Sequence, residues 1–338
     1  MEHYLTMPIL DERHDLAHAV EGDSAWSESY YFNGYDEPSD SGLFTRIGIR
    51  PNEGTMDVGM SVWLPGGDLA EYRSVKEQRE MVDRVLEVGA VRYELVEPMK
   101  TWRLTTDADV PARSCTKGST SDRTVHLVMD LTFNALTDAI GTDGTARTQA
   151  QSAEAAAASG TTGKGHLEQS GRWTGFIKVD GTRYDWRDAH GNRDKSWGPR
   201  SWGGPSMWRW FSINIGDQMH FGGIRLGTSA GDLHRGWIWN DGRATSVAEW
   251  RVRTELADDQ LTHRVVHLEV VDKRGETYNL RGDVLRVADI GRAGGTIVNE
   301  GLAKWTYVDP AGRTITGFGI AEYLHQVNDD GTPVIAVS

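Results

Sequence analysis

Turn signals recur along this chain at the roughly 8–12-residue spacing typical of a sandwich or barrel. They include Asn52-Glu53-Gly54-Thr55, Pro65-Gly66-Gly67-Asp68, Asp180-Gly181, Gly216-Asp217, Asp241-Gly242 and Lys273-Arg274-Gly275. Segments this short leave little room for the 3.6-residue apolar stripe of a helix, whereas alternation of period two suits a half-buried strand. Residues 43–50 show it: Leu43, Thr45, Ile47 and Ile49 on one side, Phe44, Arg46, Gly48 and Arg50 on the other. A turn follows and Met56–Leu64 returns, which predicts a hairpin. Trp26–Asn33, Val91–Glu97, Thr101–Thr105 and Thr124–Asn134 read as further strands. So do His166–Val179, Thr182–Arg187, Met207–Ile215, Gln218–Leu226, Arg235–Asn240, Arg243–Leu256, His263–Val271, Glu276–Leu285, Lys304–Val308 and Arg313–His325. The abundance of Gly (39) and Trp (13) fits tight turns around aromatic cores. The expected class is all-β and antiparallel, with few short helices. One helix is expected over residues 9–21.

Residues 141–165 are small and polar and interrupt this texture. They predict a linker between an N-terminal domain, 1–140, and a C-terminal domain, 166–338. The two β-rich halves suggest a duplicated architecture, although no direct sequence repeat is visible.

Charge narrows the partners. The formal net charge of −13 disfavours nucleic acid and anionic membrane surfaces. No apolar run approaches the ~20 residues needed to span a bilayer as a helix. The first residues carry Glu2, Asp11, Glu12 and Asp15 and no secretory pattern, so a cytoplasmic location is expected. A single cysteine, Cys115, rules out an internal disulfide framework. The expected partner is a hydrophobic small molecule, with neither nucleic acid nor membrane insertion, and a homodimer is compatible with the chain.

Familiar catalytic signatures are missing: no P-loop, dinucleotide glycine motif, H-E-x-x-H or C-x-x-C. His14 and His18 would share a helix face, and His263 and His267 a strand face, but neither pair has an evident third ligand. No metal and no cofactor are therefore expected. Chemistry concentrates instead in residues 190–200, where His190, Arg193, Asp194, Lys195, Trp197 and Arg200 sit among Gly191, Gly198 and Pro199. Glycine and proline predict a bend that gathers the ionisable groups at a strand end. Two readings compete: a solvated Arg–Asp turn, or a pocket acid tuned by its cationic neighbours.

The strand 207–214 places Trp208, Trp210, Ser212 and Asn214 on one face, which suits the wall of a ligand pocket. Trp237 and Trp239 repeat the spacing, and Trp26, Trp63 and Trp102 add aromatics in the first half. Core packing explains the same residues equally well. His220 follows a turn, and Glu322, Tyr323 and His325 occupy the last strand. First and last strands of a barrel often meet, so Glu322 is expected to face Asp194 as a carboxylate pair. A plain salt bridge to arginine is the alternative for Glu322.

These residues also carry a resemblance. Gly171-Arg172-Trp173-Thr174-Gly175, Asp180-Gly181 and Arg193-Asp194-Lys195-Ser196-Trp197-Gly198-Pro199-Arg200 resemble the second half of tandem lipocalin-like proteins, the carotenoid 1,2-hydratase (hydroxyneurosporene synthase)-like group. Tyr30-Tyr31-Phe32-Asn33, Phe44-Thr45-Arg46-Ile47-Gly48 and residues 97–104 agree in texture, and the likeness covers most of 24–325. It implies two lipocalin-like barrels with an elongated apolar pocket, and hydratase or cyclase chemistry begun by protonation. Carried across, Asp194 is the acid and Trp197 lies beside it. Lys195 stands where such proteins often have His, which would make Asp194 a poorer acid. The expectation is thus a cofactor-independent lyase or isomerase acting on an apolar isoprenoid, steroid-like or aromatic molecule. Its catalytic groups would be Asp194, Arg193, Lys195, Glu322 and His220. Trp197, Trp208, Trp210, Trp239, Tyr323, Trp26, Trp63 and Trp102 would bind the substrate. A non-catalytic carrier of a hydrophobic molecule, or a charged run that only holds the two barrels together, are the alternatives.

Overall fold

A computed structural model describes residues 5–114, 123–145, 163–200, 205–228, 231–293 and 295–335. Cys115 and most of the expected linker lie outside these. The described chain is almost wholly antiparallel strand and divides into two compact units.

The first unit comprises Ile9–Thr145 and Gly163–Arg200. Its strands are β1 (Trp26–Asp36), β2 (Ser41–Arg50), β3 (Thr55–Trp63), β4 (Asp68–Glu77), β5 (Val85–Val88), β6 (Val91–Glu97), β7 (Thr101–Ser114), β8 (Arg123–Ala135), β9 (Ile140–Asp143), β10 (Gly165–Val179) and β11 (Thr182–Pro199). They hydrogen-bond in the order β4-β3-β2-β1-β11-β10-β8-β7-β6-β5, with β9 on β10. A short pairing of Asp68–Ala70 with Ala112–Ser114 joins β4 to β7 and closes a ring of eight strands. The second unit is a closed barrel of β12 (Met207–Ile215), β13 (Met219–Thr228), β14 (Gly231–Asn240), β15 (Arg243–Leu256), β16 (His263–Asp272), β17 (Thr277–Ala293), β18 (Thr296–Val308) and β19 (Thr314–Gln326). Each strand pairs with the next, and β19 pairs with β12. Closing each ring pairs both sides of its eight strands, and in the first unit the short strands β5 and β9 lie outside the ring, paired on one side to β6 and β10.

Two expectations change here. The domain boundary does not fall at 141–165, because β10 and β11 lie between β8 and β1 in the first unit. Without them, β1 and β8 would each expose a row of unpaired amides and carbonyls. Ile140–Asp143 is β9 and Gly165 opens β10, both in the first unit, which therefore continues to Arg200. The helix expected over 9–21 reduces to a single 3-10 turn, Glu12–His14, capped by Asp11. Its neighbouring carbonyls and carboxylate bind β11 instead of continuing a helix, as set out below.

Alternation fills each interior. In the first unit Tyr30, Phe32, Trp102, Phe133 and Trp173 pack together, with Phe32 5.3–5.9 Å from Tyr93, Trp102, Phe133 and Trp173. Trp173 needs unusual room, and Gly34 and Gly191, paired across β1 and β11, provide it. A Cβ at either would overlap the Trp173 indole, whose Nε1 donates to the Asn33 carbonyl at 2.8 Å. Gly191 therefore belongs to a continuous strand, and the bend expected in residues 190–200 is absent: β11 runs through to Pro199. The second barrel is filled by Phe211, Ile213, Phe221, Trp250, Tyr278 and Trp305 among others.

Candidate active site

Because residues 190–199 are strand, successive side chains leave opposite faces. The charged run is thus split into two groups that do not share one pocket.

Arg193, Lys195 and Trp197 turn toward the amino-terminal segment. The Arg193 guanidinium grips the Asp15 carboxylate with Nη1 at 2.6 Å and Nη2 at 3.1 Å, and its Nε donates to Gln169 Oε1 at 2.7 Å. Asp15 also accepts the Met99 amide at 2.6 Å. Lys195 Nζ donates to the His14 and Leu16 carbonyls at 2.8 and 2.6 Å and pairs with Glu28 Oε1 at 2.8 Å. Burial pushes the Glu28 carboxyl up, but His18 and Lys195 outweigh it and hold it below the usual range. His18 stacks on Trp197 at 3.9 Å, and Trp26, Trp197, Leu10 and Leu167 form a small apolar cluster. Both Nη donors of Arg193 and two of the Lys195 Nζ contacts go to residues 14–16, in the segment that would otherwise have been helix. Arg193 and Lys195 therefore anchor the chain instead of tuning Asp194, which corrects their expected catalytic roles. Trp197 is a packing residue beside them.

Asp194 leaves the other face. Its Oδ2 bonds His166 Nε2, and His166 Nδ1 lies 3.9 Å from Glu168 Oε1. His166 and Glu168 alternate on β10, where Glu168 is opposite Asp194 and His166 opposite Ser196. One ladder row thus runs Arg46–Tyr31–Asp194–Glu168 across four strands. Arg46 lies over Gly48, where a Cβ would overlap its guanidinium, and reaches Ser29 Oγ at 3.1 Å and Asp57 at 2.9 Å. Arg200 Nη1 donates to Ser196 Oγ at 2.9 Å. Burial works against a charged His166, but Asp194 and then Glu168 prevail and push its pKa up to about 9. At neutral pH the proton therefore sits on His166, with Asp194 as its counter-anion. The His166 side chain is 37% exposed and that of Asp194 15%. The three donor atoms of His166, Glu168 and Asp194 lie within 4.8 Å of one another, a spacing that would also admit a divalent cation. No such group was expected from the sequence. Its signal was the His-x-Glu spacing of 166 and 168, which acquires meaning only once β10 is known to lie beside Asp194.

The other expected residues are distributed differently from their prediction. Trp102 is inside the first unit's core, while Trp63 packs against Phe44 at 5.2 Å. In the second unit Phe211 and Ile213 face the barrel interior, so Trp208, Trp210, Ser212 and Asn214 form its outer face. That face is not the pocket wall expected. Trp239 alternates with the interior Ile238 and is also outside, 5.4 Å from His220. His220 is buried, with Nδ1 on Asn214 Oδ1 at 2.7 Å and Nε2 3.3 Å from the Asp217 carbonyl, so it ties the β12–β13 hairpin. Glu322 lies opposite Trp210 on the β12–β19 ladder, and its Oε1 accepts Trp208 Nε1. The strand that meets the last one is β12, of the same barrel, so the ladder does not form the Asp194–Glu322 pair. Tyr323 and His325 face inward. A bulge in β16 separates His263, which points inward, from His267, which binds Glu255 Oε1 at 2.8 Å outside. His14 contacts Asp11 and His18 contacts Glu28.

Ring-closed antiparallel strands around packed aromatic interiors define a lipocalin-like β-barrel protein, and solved structures share the arrangement. An AttH-like protein of Nitrosomonas europaea superposes with a TM-score of 0.63 at 12% identity, over 97% of this chain and 100% of that one. Kievitone hydratase of Nectria haematococca gives 0.60 at 13% identity, over 95% and 94%. CghA with Sch210972 gives 0.58 at 13% identity, over 90% and 89%. The tandem lipocalin-like fold implied by the resemblance to carotenoid 1,2-hydratase-like proteins is therefore the fold observed. The chain belongs to the family described as Domain of unknown function (DUF7064), which matches residues 11–327. No curated protein sequence matches it.

Proposed function

We propose that this protein is a cofactor-independent enzyme that moves a proton to or from an unsaturated, largely apolar small molecule, as a hydratase or a related lyase or isomerase. The observation that carries the reading is the His166–Asp194 couple, an imidazolium held by a carboxylate at a partly exposed place on the sheet. Asp194 occupies Nε2, which leaves the Nδ1 edge of His166 toward Glu168 for donation. In the hydration direction Nδ1–H protonates one alkene carbon and the adjacent carbon becomes cationic. Water adds there, and its proton returns to Nδ1 directly or through Glu168. The net reaction is alkene plus water to alcohol, and dehydration is the reverse. Asp194 steadies the imidazolium, so the acid is His166 and Asp194 its partner. Kievitone hydratase, which shares the fold, supports hydration as the reaction to test first.

The test is incubation of purified protein with prenylated phenols and linear isoprenoid alkenes in deuterated water, read by mass spectrometry for added water or exchanged hydrogen. Asp194→Asn and His166→Gln should each slow turnover by about 10²- to 10⁴-fold, the usual contribution of a general acid–base group, with melting checked alongside. Folded variants that turn over at the wild-type rate would remove the couple from the mechanism. Wild-type protein that retains a hydrophobic molecule unchanged and never converts it would be a carrier.

A further inference from the structure

The interior of the second barrel is aromatic and aliphatic through most of its length, but rich in hydrogen-bond donors at the end where β12 begins and β19 finishes. There Arg209 alternates with the core residues Phe211 and Ile213, and Tyr323, His325 and His263 surround it. Arg209 is 0% exposed. Its Nη1 is anchored, donating to the carbonyls of Trp208 at 2.8 Å and Leu324 at 3.3 Å. Its guanidinium carbon lies 4.1 Å from the centre of the Tyr323 ring. Nε and Nη2 have no acceptor in hydrogen-bond geometry, although the Tyr323 side chain interacts favourably with the guanidinium, and among the described residues no carboxylate forms an ion pair with Arg209. The nearby acid Asp232 is engaged by Arg225 at 2.6 Å.

The histidines repeat the pattern. His263 stacks on Tyr323 at 4.1 Å and commits only Nε2, to the Ala321 carbonyl at 2.9 Å, leaving Nδ1 without a partner. His325 is 1% exposed and neither ring nitrogen has one. Burial, with the Arg209 charge adding to it, pushes both imidazoles down to about 3, so they are neutral and each carries one N–H. Tyr323 itself is engaged by Thr254 Oγ1 at 2.7 Å.

A cation taken out of water without a counter-ion is costly, and buried donors are rarely left unmade. The free edge of Arg209 is informative because Nε–H and Nη2–H are parallel. They form the fork that takes both oxygens of a carboxylate side-on. Met207 and Ile297, both buried and in register with His325, add apolar residues to the inward-facing row next to Arg209.

We infer that this end of the second barrel binds the carboxylate of an organic acid with an apolar body, held side-on by Arg209 Nε and Nη2 and assisted by His325 and His263. The assignment concerns the second unit alone and does not rest on the His166–Asp194 reading. The ligand supplies the counter-charge that the protein omits, and the neutral histidines add donors without adding a second cation.

Binding is tested on the full chain by calorimetry, with benzoate, 2-naphthoate and decanoate each compared with its neutral primary amide. At least one acid should bind about tenfold or more tighter than its amide, the discrimination expected of a charge-assisted fork. Arg209→Met should erase the preference without lowering the melting temperature of the ligand-free protein. Arg209→Lys keeps the charge but not the fork and should lose most of the preference. It also supplies the readout should Arg209→Met fail to fold. Equal binding of acid and amide, binding of none of the three acids, or a preference that survives the loss of the Arg209 guanidinium would each overturn the assignment.

Discussion

Arg193→Met tests the division of the charged run most directly. The Arg193 side chain is 2% exposed and that of Asp15 0%. The substitution deletes two charge-assisted bonds to Asp15 and one to Gln169, and leaves the carboxylate buried with the Met99 amide. Removing one partner of a buried ion pair costs about 3–5 kcal/mol, most of it the stranded charge. In a unit of about 150–250 residues each kcal/mol moves the melting temperature by about 2–4 °C, so a fall of about 6–20 °C is expected. Replacing both partners, Arg193→Met with Asp15→Leu, removes the stranded charge and should recover most of the loss. Differential scanning calorimetry on the two single variants and the double variant closes the cycle. Well below the melting transition, Arg193→Met should leave any proton-transfer rate unchanged, because the guanidinium faces away from His166. A single variant within about 1 kcal/mol of wild type, or a double variant as unstable as the sum of the singles, would refute the anchoring role.

Two further outcomes follow from the same geometry. His166 has a folded pKa raised from 6.5 to about 9, so its pairing contributes stability in full below about 6.5, and that contribution is lost as pH rises through 9. An NMR titration of its ring proton should show the raised value in wild type and a fall to or below the ordinary value in Asp194→Asn. Gly191→Ala would drive a methyl into the Trp173 indole and the Asn33 carbonyl, with an overpacking cost of about 1–3 kcal/mol or more, read by chemical denaturation followed by circular dichroism.

The sequence by itself determined that the chain is antiparallel β-structure and located strands such as Val91–Glu97, Met207–Ile215 and Arg243–Leu256 from end to end, but it did not show β4, β5 or β9 and stopped β11 at Arg187. Turn residues and two-residue alternation are local properties, and Leu43–Ile49 against Phe44–Arg50 appears in the structure as the inner and outer faces of β2. It also marked residues 193–200 and Asp194 as a place of interest. The tertiary structure decided which neighbours those residues have. Gly191 looked like a bend because glycine permits one. It is extended because Trp173 needs the missing side chain, a fact recorded 18 positions away in sequence and visible only when β10 lies against β11. Likewise Asp15 and Glu28 look like surface charges until Arg193 and Lys195 arrive from a strand far along the chain. His166 looked like the start of a strand, and Arg209 like an ordinary arginine between tryptophans. Period two says only that alternate side chains share a face. Whether that face meets solvent, core or another charge depends on strand order and register, which are set by long-range pairing.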